Sequence, residues 1–341
     1  QCFIDLAKDY CPKWILEGDT EDMIIKAPSK DIMNKLARSV LALYSYDENP
    51  DDCSLENIVR QSIQLIARMP TIMTYAYQVK RRHFDKESMY FHPIDSRHST
   101  AESILNAIRP DRKFTDEEAK LLDLLMIIHA EHGGGNNSTF ATRVLSSSGT
   151  DTYSTIAAAI GALKGPKQGG ANNRDMQMME CVKEKVHDWA DDDEVEAFLT
   201  RIVNKEEGDH SGLIYGQGHA IYTLSDPRAV LLKQHAKKLA GEKGMLKEFE
   251  LYERVERLAP QVFAKVKGDK KVLCANVDFY SGLVYQMLGL PSILYTPMFA
   301  VSRIAGWCAH RMEEVYTGSR IIRPAYKSLV EGRKYLPIDK R

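Results

Sequence analysis

Apolar residues recur three and four positions apart along most of the chain, and alternation with period two is almost absent. That pattern predicts helices throughout, roughly a dozen or more of about 10–14 residues each. Ile32, Leu36, Val40, Leu43 and Tyr44 form one apolar stripe, with Ser29 expected as its N-cap and Asp31 in the first turn. Ser54 is expected to cap the next helix, whose face is Ile58, Val59, Ile63, Ile66 and Ala67, with Pro70 stopping or kinking it. Ser99-x-x-Glu102 and Thr115-x-x-Glu118 are capping boxes. The run from Leu121 to Ile128 after the second box is apolar almost all round, which predicts a helix in the interior that delivers His129 and His132 from the core.

Further along, helices are expected from Asp151 to Leu163, along Met176, Met179, Val182, Val186 and Trp189, and from the acidic start Asp191–Glu194 through Ile202. Asp226-Pro227 reads as a cap followed by proline in the first helical position, with the helix ending near Gly241. Phe249, Tyr252, Val255 and Leu258 mark a helix stopped by Pro260; two more run from Asp278 to Leu288 and from Pro297 to Met312, and residues 320–341 read as an extended tail. The fold class is therefore all-α. No internal repeat and no low-complexity segment stands out.

The 341 residues suit one large domain or two, and 44% apolar residues are enough for a sizeable core. A net charge of −1 argues against nucleic acid or an anionic membrane as the main partner, and no apolar run is long enough to span a bilayer. The six cysteines form no C-x-x-C pair and read as reduced thiols of a cytoplasmic protein. No signal peptide is visible; the start at Gln1 reads as a trimmed chain lacking an N-terminal part.

The candidate chemistry gathers between His129 and Asn172. His129-x-x-His132 is expected on one helical face, as either structural or metal-ligating histidines; no carboxylate or cysteine stands in partner spacing, so no metal is expected. Gly133-Gly134-Gly135-Asn136 exposes backbone N–H groups that suit an anion. His219, in Gly216-Gln217-Gly218-His219, either belongs to a flexible loop or meets a ligand without shielding. Asp226 explains itself as a cap, which leaves Arg228 free for a carboxylate, and Asp278 either caps its helix or acts chemically. Arg303 interrupts an apolar helical run, where an arginine is rarely buried unless it meets an anion.

Taken in order, HAEHGGGN, GPKQGGAN, GQGHAIYTLSDPR and NVDFYSG resemble the citrate synthases, including the 2-methylcitrate synthases, over about Pro28 to Pro324. The resemblance implies a multi-helical fold with a large domain (1–168 and 290–341) and a small domain (169–289) that closes over substrate. It implies a homodimer that condenses oxaloacetate with acetyl-CoA, and neither metal nor cofactor. By the same resemblance Asp278 is the base that deprotonates the acetyl methyl group, and His219 polarises the ketone and donates a proton to it. His132, Asn136, Arg228 and Arg303 bind oxaloacetate, Arg323 is lent by the partner subunit, and Tyr215, Gly216, Gln217 and Gly218 cradle the adenine end of CoA.

One position departs from the family pattern. Gln168 stands where a histidine that donates to the thioester carbonyl is expected, so intact oxaloacetate binding with strongly reduced turnover is the expectation. Thr223 stands where some members carry a basic ligand of the CoA phosphate; Lys80, Arg81 and Arg82 could substitute but read better as a solvated face. The rival readings are a 2-methylcitrate synthase using propionyl-CoA, a non-catalytic binder of oxaloacetate or CoA, and a metal-dependent hydrolase built on His129 and His132.

Overall fold

The computed structural model describes residues 18–93, 95–218, 222, 224–268, 273–318, 320–332 and 334–340. Among these, thirteen α-helices run in order: α1 (Gly18–Lys26), α2 (Ile32–Ala42), α3 (Leu55–Lys80), α4 (Thr100–Ile108), α5 (Asp116–His129), α6 (Asn137–Ser147), α7 (Thr152–Lys164), α8 (Ala171–Lys185), α9 (Asp192–Val203), α10 (Pro227–Lys243), α11 (Leu246–Lys267), α12 (Val277–Met287) and α13 (Tyr295–Tyr316). The β-structure among the described residues is an isolated antiparallel bridge between Gln217 and Ala275.

Local chemistry sets most boundaries as expected. Ser54 and Asp151 accept backbone N–H groups at the starts of α3 and α7, and both capping boxes are formed, Ser99 with Glu102 and Thr115 with Glu118. Asp191 caps α9, and Asp226 caps α10 with Pro227 in its first turn. α10 runs past Gly241 to Lys243 and ends on Gly244 at φ 71°. Beyond α13 the tail is extended apart from a short 3₁₀ turn at Ile338–Lys340.

Five expectations need correction. Asp31, not Ser29, caps α2; the Ser29 hydroxyl instead accepts from the Asp31 N–H. Pro70 and Pro260 lie inside α3 and α11, so neither proline stops its helix. A proline forfeits one backbone bond of its helix, and here long buried faces on either side outweigh that loss. α5 is not buried all round, because Ile127 is 63% exposed. α6, within a glycine- and asparagine-led stretch, is an additional helix. His132 lies beyond the end of α5, so the two histidines do not share a helical face.

Two packing groups emerge. Helices α1 to α7 pack with one another and with α13, while α8 to α12 pack mainly among themselves. α13 touches α3, α5, α6, α7 and α8, and α10 reaches across to α5. That second junction carries Glu118, which accepts from Arg109 at 2.7 Å and is also paired with Lys243 of α10. α12 is buried nearly all round through Val277, Phe279, Tyr280, Leu283, Val284, Tyr285 and Met287. Each large apolar side chain buried there stabilises the fold by about 1.5–3 kcal/mol, so the start of α12 is a rigid platform.

Candidate active site

The platform's first turn carries Asp278. Asn276, not Asp278, caps α12: its side-chain oxygen accepts the Asp278 N–H at 3.0 Å. The Asp278 carboxyl is thus left over from the helix's own needs. Three contacts bring a glycine turn against it. The Gly218 N–H donates to the Cys274 carbonyl at 2.7 Å, the Asn276 N–H to the Gly216 carbonyl at 2.9 Å, and the Asn276 amide to the Gly218 carbonyl at 3.1 Å. Gly216 has φ 72°, and a Cβ there would stand 2.5 Å from the Phe279 ring. Only glycine lets the turn lie this close to α12.

Asp226 joins a second helix start to this one. Wholly buried, it caps α10 through the Arg228 N–H, accepts the Val277 N–H at 3.2 Å, and holds the Arg228 guanidinium through Nε at 3.0 Å and Nη2 at 2.8 Å. Sequence reasoning gave Asp226 only the capping role and left Arg228 free. In the structure the same carboxylate orients Arg228.

Arg303 is completely buried in α13. Its Nε donates to the His129 carbonyl at 2.6 Å and its guanidinium lies 4.6 Å from the centre of the Phe299 ring, while Nη1 and Nη2 have no partner among the described residues. A buried cation with two unmatched donor groups fits an anion far better than it fits an empty core. Burial, aided by Arg228 and opposed by Glu131 and Asp278, brings its pKa from 12.5 down to about 10. The Asp278 carboxyl is pushed the other way, from 3.8 up to about 6, by burial and by Asp226 against the pull of Arg228 and Arg303. Arg303, Arg228, Asp278 and Asp226 therefore share one electrostatic neighbourhood.

The loop after α5 supplies the opposite wall. Gly306 of α13 lies against it so closely that a Cβ would stand 2.2 Å from the Ala130 carbonyl oxygen. His132 follows, half-buried, with its ring 6.2 Å from that of Tyr222. His129 stays inside: its Nδ1 sits 2.8 Å from the Leu125 carbonyl, and burial lowers its pKa to about 4, so it is neutral. Among the described residues no group of three or more His, Cys, Asp or Glu could hold a metal ion.

Gln168 closes the cluster from the turn between α7 and α8. Its Nε2 donates to Asn136 Oδ1 at 2.7 Å and to Ser138 Oγ at 2.9 Å, so both amide hydrogens are engaged, and its Oε1 is buried without a partner among the described residues. Ser138 also donates to Asn136 and accepts from Trp307 Nε1 at 3.2 Å. Ser138 and Trp307 were not among the residues expected from sequence; the position of Ser138 two residues after Asn136 was the available signal.

The remaining expected residues divide. Tyr215 lies beside Gly216 with its hydroxyl on Asp209 at 2.5 Å and Arg174 over its ring. Gln217 has both side-chain polar atoms buried and unmatched among the described residues. Arg323 is exposed on the tail, next to Ile322, whose N–H donates to Ser147 at 3.0 Å. His219 and Thr223 lie outside the described residues. Lys80 and Arg81 of the basic cluster are paired with Asp85 and Glu87.

The model for "Citrate synthase, C-terminal domain" matches residues 6–325. The chain is 34% identical to the citrate synthase of Haloferax volcanii, across 91% of this chain and 75% of that protein. It is 33% identical to the 2-methylcitrate synthase of Shewanella oneidensis, across 82% and 67%. Among solved structures it resembles the ternary complex of Thermoplasma acidophilum citrate synthase with carboxymethyl coenzyme A and oxaloacetate. That likeness has a TM-score of 0.77 at 29% identity and covers 99% of this chain and 83% of the other. The Pyrobaculum aerophilum citrate synthase gives a TM-score of 0.78 at 28% identity, covering 99% and 80%.

Proposed function

The chain belongs to the citrate synthase family, and from that premise we propose that it condenses oxaloacetate with acetyl-CoA and hydrolyses the product thioester to citrate and CoA. One observation carries this reading: a fully buried Arg303 with two unmatched Nη groups shares its surroundings with Arg228 and with an Asp278 carboxyl of pKa about 6. Two guanidinium groups suit a dicarboxylate, and a carboxylate raised to that value suits proton removal near neutral pH.

In the proposed sequence Asp278 takes a proton from the acetyl methyl group. The resulting enolate carbon attacks the oxaloacetate ketone, and His219 gives its proton to the oxygen that becomes the citryl hydroxyl. Water then cleaves the thioester. His132 and Asn136 line the oxaloacetate floor, and the Tyr215–Gly218 turn receives the adenine end of CoA. The two packing groups support a large domain of 1–168 and 290–341 and a small domain of 169–289 that moves against it to exclude water.

Gln168 marks the slow point. An enolate oxygen needs a donor placed in advance, and both amide hydrogens are engaged by Asn136 and Ser138. Loss of one such donor costs about 10²–10³ in rate. The exposed Ile127 and an apolar groove lined by Leu55, Val59, Ala309 and Met312 support a homodimer. In that dimer the extended tail, with Tyr326 and Leu329 exposed, carries Arg323 to the partner's site.

A 2-methylcitrate synthase reading has support in the Shewanella oneidensis relative. Steady-state release of CoA from acetyl-CoA and propionyl-CoA separates the two. A higher kcat/KM for acetyl-CoA supports the proposal, and a reversed preference replaces it.

A further inference from the structure

Asp175, in the middle of α8, is wholly buried, yet neither of its carboxyl oxygens has a hydrogen-bond partner among the described residues. It lies directly beneath the site. A Cβ on Gly216 would stand 2.9 Å from its Oδ1 and 2.8 Å from the Cβ of Phe279, the residue after Asp278. The titratable groups that face it are Asp278 from α12 and Tyr252 from α11. The turn above contributes the neutral Gln217, and Arg174 on its own helix is exposed and lies over the Tyr215 ring.

Two buried carboxyls that feel each other's charge cannot both ionise cheaply. Asp278 has Arg228 and Arg303 in its field, whereas no cation among the described residues contributes at Asp175. The single negative charge therefore settles on Asp278. We propose that Asp175 is a positioning residue for the base at Asp278: a carboxylic acid that, while neutral, leaves the pair's one negative charge on Asp278, and whose ionisation marks the alkaline end of the site's working range. Burial and the Asp278 charge both hold the Asp175 pKa well above the ordinary carboxylate range, in agreement with that role.

The catalytic arm of this inference rests on the proposed condensation; its titration arm does not. The test is a carbon-13 titration of the aspartate carboxyls in the intact chain, for wild type, Asp175→Asn and Asp175→Ser, alongside the pH profile of kcat/KM with acetyl-CoA and oxaloacetate. In wild type one buried carboxyl stays protonated through neutral pH, and the Asp278 resonance shifts a second time when that carboxyl ionises. The second shift vanishes in both variants. The alkaline fall in kcat/KM, about tenfold per pH unit once Asp175 ionises, moves upward or disappears in the variants, and the acid limb stays in place. An Asp175 already ionised at neutral pH overturns the inference, as does a second Asp278 shift that survives in the variants or an alkaline limb common to all three proteins. If no thiol is released at any pH, the condensation reading fails while the titration still decides the role of Asp175.

Discussion

Replacing Arg303 by methionine tests the anion site through two effects of different size. Methionine fills a similar volume without charge or strongly polar atoms. In the unliganded chain Arg303 is a burden. Its drop from 12.5 to about 10 corresponds to about 3 kcal/mol against the charged form, and the side chain is fully buried, so solvent does not screen that cost. The burden is the same at every pH below about 10. The substitution also removes the bond from Nε to the His129 carbonyl, worth about 1.5–3 kcal/mol as a charge-assisted contact. The two nearly offset, and Arg303→Met is expected to unfold within about 1 kcal/mol of wild type or slightly above it. In the proposed site oxaloacetate would lose its partner for one carboxylate, which is worth about 2–5 kcal/mol, or a factor of about 30 to several thousand in Kd. Calorimetric titration with oxaloacetate and thermal unfolding with and without it read both effects. Unchanged oxaloacetate affinity refutes the anion assignment, and a loss of several kcal/mol in the unliganded protein refutes the claim that the buried charge is unmatched.

Other consequences concern the same neighbourhood. As the proposed base, Asp278 with a pKa of about 6 must be ionised to act, so kcat/KM should rise with pH through about 6 and level off above it; a profile flat from pH 5 to 8 contradicts that role. Asp226 raises the Asp278 pKa, so Asp226→Asn should move this acid limb to lower pH while the asparagine still caps α10, as helical circular dichroism would verify. Gly216→Ala places a methyl group 2.5 Å from the Phe279 ring at φ 72°, and should cost about 2–4 kcal/mol in denaturant unfolding and weaken CoA binding.

Much of the helical framework was legible because caps are local chemistry. Ser54, Ser99, Thr115 and Asp226 each satisfy N–H groups within three residues, and no tertiary information is needed to see it. Pro70 and Pro260 misled for the opposite reason: whether a helix survives a proline depends on what its faces bury, and that is a property of the assembled core. The site divides the same way. Arg303 could be suspected from an arginine in an apolar stripe, but its two unmatched Nη groups could not. Asn276 taking the cap, and so freeing Asp278, is decided by one residue of register. Asp226 looked fully explained as a cap, and its hold on Arg228 and on the Val277 N–H depends on two helix starts meeting in space.

CoA release from acetyl-CoA at saturating oxaloacetate, for the chain as it stands and for Gln168→His, tests the proposed condensation most directly. Slow release by the unaltered chain is expected, with an increase of about 10²–10³ in kcat on introducing histidine and little change in oxaloacetate affinity. If Gln168→His releases no more CoA than the unaltered chain, and neither turns over above background, the assignment of this site to citrate synthesis is contradicted.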